Sequence, residues 1–296
     1  MSTFIVTSAQ AKTRLDALLR ELGSLSQKKA KLLCALGGIS INGVCAAGTT
    51  RVREGAEITF EADHIDLMLQ LGLPVAYADD DLFVLQKPPG LPVLTVPQGD
   101  PSLADALERE FPGSEFVNRL DRDASGLLLV ARHPEALMHL DMAMARGEIE
   151  RTFEAVVHGS VAADEQAVEL PVIATPEANS EATAEEHDDD DEQPSKAHVT
   201  VLGRREGATH LRIVTATGHP HQIRAQLKKM GHPVLGDARY GDAQANEHAR
   251  ATFGVHRALI HSKRLQFTHP TSTVAIDVTA SDEADFARLF PQRRPR

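Results

Sequence analysis

Apolar residues fall along this chain in two rhythms. Leu15, Leu18, Leu19 and Leu22 recur at i, i+3, i+4 and i+7, which predicts one buried face of an amphipathic helix. Ser26 suits the cap of a second helix that ends at Gly37-Gly38. The period then shortens. Ile39-Ser40-Ile41 alternates, Asn42-Gly43 is a hairpin turn, Val44 opens the return, and Val52, Gly55, Ile58 and Phe60 suggest a last turn and strand. Residues 1–62 therefore read as a small α/β domain, with a linker over 63–74 and a larger domain over 75–296.

In the larger domain, strands are expected at Val75-Ala76-Tyr77 and Leu82-Phe83-Val84-Leu85, with Asp79-Asp80-Asp81 as the turn between them. Lys87-Pro88-Pro89-Gly90-Leu91 reads as a rigid turn. Helices are predicted over Pro101–Glu110 and Pro134–Arg146, the second with proline in its first turn. Leu127 to Val130 is a short continuous apolar run, hence a buried strand, and Ser125-Gly126 reads as the tight turn feeding it. Arg151 to Gly159 is rich in β-branched and aromatic residues, and Leu211 to Val214 is similar, so both read as strands. Pro220 suits the start of a helix that buries Ile223, Leu227 and Met230 and stops at Gly231. Thr175 to Ser195 has no large apolar residue and cannot offset the entropy of ordering, so it reads as a disordered insertion between two strands. The fold class expected is α+β.

Composition narrows the setting. With 296 residues the chain can bury two cores, and no apolar run approaches the roughly 20 residues of a membrane span. The first residues lack the basic start and apolar stretch of a secretory signal. Cys34 and Cys45 have no metal spacing and read as buried apolar residues, which fits a reducing cytoplasm. The net charge of −11 is unevenly spread. Residues 196–270 hold 12 Lys+Arg against 4 Asp+Glu, and residues 1–62 hold 8 against 5. Residues 177–192 hold 9 acidic side chains and no Lys or Arg, so two basic segments flank an acidic middle, and nucleic acid remains a candidate partner.

The densest chemistry lies between Asn118 and Val130. Arg119 and Asp121 sit on a loop just before a core strand, where a rigid scaffold can hold catalytic groups, although an ordinary surface loop reads the same way. Arg119-Leu120-Asp121-x-Asp123-x-Ser125-Gly126-Leu127-Leu128-Leu129 resembles the signature of the RluA-type RNA pseudouridine synthases. Three further blocks resemble that family in the same order. They are Tyr77 to Leu91, then Thr217-Gly218-His219-Pro220-His221-Gln222-Ile223-Arg224 with Gly231 to Asp237 and Tyr240-Gly241, and then Arg257 to Pro270. Residues 1–62, with Arg14-Leu15-Asp16 at their start, resemble an S4 RNA-binding domain. That resemblance puts Lys28, Lys29 and Lys31 where RNA phosphates are met.

The resemblance implies a catalytic domain built on a mixed, largely antiparallel sheet. It makes Asp121 the catalytic carboxylate, acting as a nucleophile on C1′ or C6 or as the base of an elimination. Arg224 would orient Asp121, Arg119 would fill the space left by a flipped uridine or meet a phosphate, and Phe153 would cover the base. The isomerisation needs no redox partner, so no cofactor is expected, and His219 and His221 lack the companions of a metal site. The implied partner is RNA, large-subunit ribosomal RNA first and transfer RNA second, for a monomer that does not use a membrane. Asn118, Phe153, His219-Pro220 and Ser262 depart from the family's His, Tyr, Arg-Thr and Ala. Phe153 keeps a stacking ring without the hydroxyl. A non-catalytic RNA-binding protein of the same fold is therefore the alternative, with an unrelated Asp121 hydrolase behind it.

Overall fold

The computed structural model describes residues 2–23, 30, 34, 39–60, 72–95, 102–169, 172–173, 192–193, 195–219 and 221–290. Near the N-terminus, β1 (Ser2–Ile5), β2 (Ile39–Ile41), β3 (Val44–Cys45) and β4 (Glu57–Phe60) form an antiparallel sheet in the order β1-β4-β2-β3. Helix α1 (Leu15–Gly23) buries Leu15, Leu18 and Leu19 in one core with Ile39, Val52 and Ile58. Asn42 and Gly43 both take positive φ, 50° and 76°, as the two-residue hairpin requires. Ala30 and Cys34 are helical and buried in the same core. The rest of the expected second helix, with Lys28, Lys29 and Lys31, lies outside the described residues, as does most of the 63–74 linker. Strand β1 was not expected; it is only four residues long, two of them Ser and Thr, and is set by its pairing with β4.

A ten-stranded sheet follows. Its strands are β5 (Val75–Ala78), β6 (Leu82–Lys87), β7 (Glu115–Phe116), β8 (Ser125–Ala131), β9 (Glu150–His158), β10 (Glu165–Glu169), β13 (Lys196–Arg205), β14 (Ala208–Thr215), β15 (Ile260–Thr268) and β16 (Ala275–Thr279). The main path runs β10-β13-β14-β9-β15-β8-β6-β5, with β16 on β15 and β7 on β8. The β8–β15 pair is parallel and the other pairs are antiparallel, so the sheet is mixed and largely antiparallel, as expected. Helices α2 (Leu103–Glu110), α3 (Pro134–Ala145), α4 (Gln222–Lys229), α5 (Ala243–Phe253) and α6 (Ala284–Leu289) complete an α+β fold. No helix among the described residues is long and apolar enough to cross a membrane.

All seven residues of β8 are buried. Leu128 and Val130 pack with Phe83, Leu85 and Phe153 on one side, and Leu127 and Leu129 with Leu82, Val84 and Leu140 on the other. Covering on both faces explains the unbroken apolar run. Ser125-Gly126 is not the expected turn; it opens β8, with Ser125 opposite His261 and Gly126 opposite Ser262. A Cβ on Gly126 would lie 2.2 Å from the Ser262 carbonyl oxygen, so the close approach of β15 demands the glycine. The turn itself lies earlier, at Arg122-Asp123.

Asp79 does make the hairpin turn. Its carboxylate accepts from the backbone N–H of Asp81 and Leu82 at 2.9 Å each, from Tyr77 Oη at 2.6 Å and from His269 Nε2 at 2.9 Å. His269 Nδ1 in turn accepts from the backbone of Thr271 and Ser272. Asp79, Asp81 and His269 come close enough to suggest a metal site, but both ring nitrogens and the Asp79 oxygens are already committed to closing turns. The expected insertion needs a correction at its end. Glu192–Gln193 (β12) pairs with Val172–Ile173 (β11), and Ser195 is buried, its Oγ hydrogen-bonded to Thr217 Oγ1 at 3.1 Å. The remainder, from Thr175 to Asp191, lies outside the described residues.

Ser262 is fully buried and its Oγ has no hydrogen-bond partner. An orphaned buried hydroxyl costs about 1–3 kcal/mol. Ser262→Ala should therefore raise the unfolding free energy by about 1 kcal/mol. Urea denaturation checks this, and a lower midpoint for the variant would show that the hydroxyl is partnered.

Candidate active site

The loop that enters β8 is held by its carbonyls. Asp121 O accepts from Ala124 N at 3.1 Å, and Arg122 O from Gly90 N at 2.8 Å. Lys87, at the end of β6 and only 2% exposed, donates from Nζ to Arg122 O at 2.8 Å and to Pro88 O and Leu91 O at 2.9 Å each. Burial pushes its pKa down to about 8, against the pull of Asp123 and Asp121. Arg257 donates from Nη1 to Asp123 O at 3.2 Å and pairs through Nη2 with Glu283 at 2.8 Å and Asp285 at 3.0 Å. Asn118 fixes the start of the loop, its buried Oδ1 accepting from Leu129 N at 2.7 Å.

Asp121 Oδ2 accepts from Arg224 Nη1 at 2.6 Å. The opposite edge of the same guanidinium is bidentate on Asp237, Nε at 2.6 Å and Nη2 at 2.7 Å. Asp237 is 0% exposed and also accepts from Arg239 N and Tyr240 N at 2.9 Å each. Burial pushes the Asp237 carboxyl up, but the Arg224 contact and these amides leave it below the usual carboxylate range. Burial likewise lowers the Arg224 pKa, and Asp237 and Asp121 more than reverse that. Asp121 thus meets a cation whose orientation is set from behind.

Arg224 lies in the first turn of α4. That helix starts at Gln222 with His221 as its N-cap in the left-handed region, φ 56°, and not at Pro220, which lies outside the described residues. The cap brings His221 Nε2 within 3.4 Å of Asp121 Oδ1, while Nδ1 hydrogen-bonds the Tyr240 hydroxyl at 3.2 Å. Burial holds the His221 imidazole below its ordinary pKa; Asp121 opposes this and Arg224 and Arg239 add to it.

Of these groups, Asn118, Asp121, His221 and Arg224 line a cavity of about 600 Å³. Arg119, Asp121, Phe153 and Arg224, all singled out from the sequence, are in its wall, Arg119 exposed and Phe153 buried. Lys28, Lys29 and Lys31 lie outside the described residues. Sequence reasoning gave no role to Asp237, His221, Tyr240 or Arg257 and read Lys87 only as part of a turn. The signal for Asp237 and Tyr240 was present in the Gly236-Asp237 and Tyr240-Gly241 pairs.

Residues 81–229 match the family model described as RNA pseudouridylate synthase. A ribosomal large subunit pseudouridine synthase C of Vibrio cholerae is 32% identical over 227 residues, 74% of this chain and 69% of the relative. The protein of that name from Escherichia coli is 26% identical over 310 aligned positions, 98% of this chain and 95% of the relative. Among solved structures, human RNA Pseudouridylate Synthase Domain Containing 4 shares the fold, with a TM-score of 0.59 at 16% identity over 76% of this chain and 95% of that one.

Lys87 is the loop's main buried side-chain donor, and removing it takes a donor from Pro88 O and Leu91 O and leaves Arg122 O to Gly90 N. Lys87→Met should lower the thermal midpoint by about 5 °C or more, because each unsatisfied buried acceptor costs more than the methionine regains by packing. Scanning calorimetry measures this; an unchanged midpoint would mean that the loop holds itself.

Proposed function

Because this chain belongs to the RNA pseudouridylate synthase family, we propose that it isomerises uridine to pseudouridine in large-subunit ribosomal RNA, with Asp121 as the catalytic carboxylate. The reaction breaks the bond between N1 of uracil and C1′, turns the base, and joins C5 to C1′. The proton on C5 leaves and N1 gains one, so the atoms balance without any cofactor. The observation that carries the assignment is the 2.6 Å contact in the cavity wall of Asp121 with Arg224, itself locked from behind on Asp237. A carboxylate held in this way is oriented for attack or proton removal before substrate arrives.

Arg119 is the group that takes the place of the flipped nucleotide or meets a phosphate, and Phe153 covers the uracil ring. A cavity of about 600 Å³ suits one nucleotide. Residues 1–62 act as an S4-like RNA-binding unit through Lys28, Lys29 and Lys31, and residues 75–296 carry the chemistry, in a cytoplasmic monomer. Transfer RNA is the second substrate class. The alternative, a binding protein without turnover, has the missing Phe153 hydroxyl in its favour and the intact Asp121–Arg224 pair against it.

Pseudouridine mapped across ribosomal and transfer RNA from cells lacking the protein, with wild type or Asp121→Asn restored, tests the reading. One or more ribosomal sites should vanish, return with wild type and stay absent with Asp121→Asn, whose rate should fall by about 10³-fold or more. Full rescue by Asp121→Asn would end the assignment, and a lost transfer RNA site would redirect the substrate. If stacking is the role of Phe153, Phe153→Tyr should change the rate by less than about tenfold, whereas general acid–base catalysis by a restored hydroxyl would give about a hundredfold or more.

A further inference from the structure

Arg151 lies near the start of β9, two residues before Phe153, so the two side chains share one face of the strand. It is 6% exposed. Its Nε is buried with no hydrogen-bond partner, and no carboxylate pairs with its guanidinium among the described residues. Burial alone pushes its pKa down to about 10, with no acidic neighbour pulling it back.

Two residues of the cavity wall bracket this cation. The Phe153 ring centroid is 5.8 Å from Cζ. Gly218 lies against it so closely that a Cβ there would be 3.1 Å from Nη2 and 3.2 Å from Nη1. Both Phe153 and Gly218 line the cavity that holds Asp121. Only glycine at 218 leaves the guanidinium without a side chain over it.

A buried cation without a counter-charge destabilises a fold, and replacing it with an apolar side chain of similar size relieves the strain. Its presence beside a substrate cavity is explained by a ligand that brings the missing charge. We propose that Arg151, set directly behind Phe153 and Gly218, forms an anion subsite at the edge of the cavity, which takes a phosphodiester of the RNA strand beside the nucleotide held at Asp121. The inference rests on the RNA reading above. A uracil carbonyl would satisfy a donor but not a full charge, whereas a phosphate offers two oxygens to the guanidinium fork.

The test uses the full chain, a labelled oligouridylate and three variants. Arg151→Met should raise the thermal midpoint of the free protein by about 2–4 °C. It should weaken oligouridylate binding about tenfold. It should also reduce the slope of log K against log salt by about 0.7, the value of one phosphate contact on a single strand. Arg151→Lys keeps the charge and should restore most of the slope. Gly218→Ala, which places a methyl over the guanidinium without removing charge, should weaken binding in the same direction, and it stands in if Arg151→Met does not fold. Unchanged affinity and slope in Arg151→Met and Gly218→Ala, or a lower midpoint for Arg151→Met with binding intact, would overturn the subsite. Failure of the functional reading is separate: wild-type protein that binds oligouridylate but leaves ribosomal RNA unmodified would overturn the reaction without touching Arg151.

Discussion

One buried carboxylate sets the geometry of the site. Asp237 is fully enclosed and takes both donors on one edge of Arg224, which leaves the remaining edge to face Asp121. Charge-assisted hydrogen bonds of this kind are strong in a low-dielectric setting, and a bidentate pair also fixes the plane of the guanidinium. Asp237 is itself held by a tight turn. Its carbonyl accepts from Asn246 Nδ2 at 2.9 Å, and Asn246 Oδ1 accepts from Gly236 N at 2.8 Å. A Cβ on Gly236 would fall 1.9 Å from the Arg257 carbonyl oxygen, and one on Gly241 would fall 2.1 Å from that of Asp237. The two glycines are therefore part of the mounting for a carboxylate, and through it for Arg224.

The second constraint comes from the sheet. β8 is sealed on both faces, and its parallel contact with β15 begins at its first two residues. The loop before it has little freedom, because Lys87, Gly90, Ala124 and Arg257 capture three successive carbonyls. Asp121 is thus fixed through its backbone by one part of the chain and through its side chain by another. Neither set of contacts alone would define the position of the carboxylate, since a rigid loop leaves its rotamer open and a rigid partner leaves its backbone open.

What the sequence reveals follows the range of the forces involved. The face of α1, the Asn42-Gly43 hairpin, the Asp79 turn and the apolar core of β8 all depend on neighbours within a few residues, and periodicity or turn chemistry exposes them. Asp121 and Arg224 stood out through motif likeness, and Phe153 and Arg119 with them. Gly126 misled because a glycine reads locally as a turn, whereas here it makes room for Ser262 from a distant strand. His221 could not be foreseen as a neighbour of Asp121, because its place follows from a left-handed cap two residues later than proline suggested. Ser195 looked like the end of an acidic tract, yet its Oγ joins a buried network with Thr217 and Gln226.

Three arginines near the cavity show why the residue type alone says so little. Arg257 lies between Glu283 and Asp285 and lends a donor to the loop, so it has no charge left for a ligand and acts as scaffold. Arg224 is neutralised from one side and turns its other side to Asp121, so it positions. Arg151 is as deeply buried as either, lies against an aromatic ring and a glycine, and pairs with no carboxylate among the described residues. A guanidinium is always charged, so burial forces the question of where its counter-charge lies. Where the fold supplies it in full, the arginine stabilises; where it supplies part, the arginine orients the carboxylate it faces; where it supplies none, the balance must come from what binds. The same letter in the sequence takes three roles according to the carboxylates that the fold brings within reach.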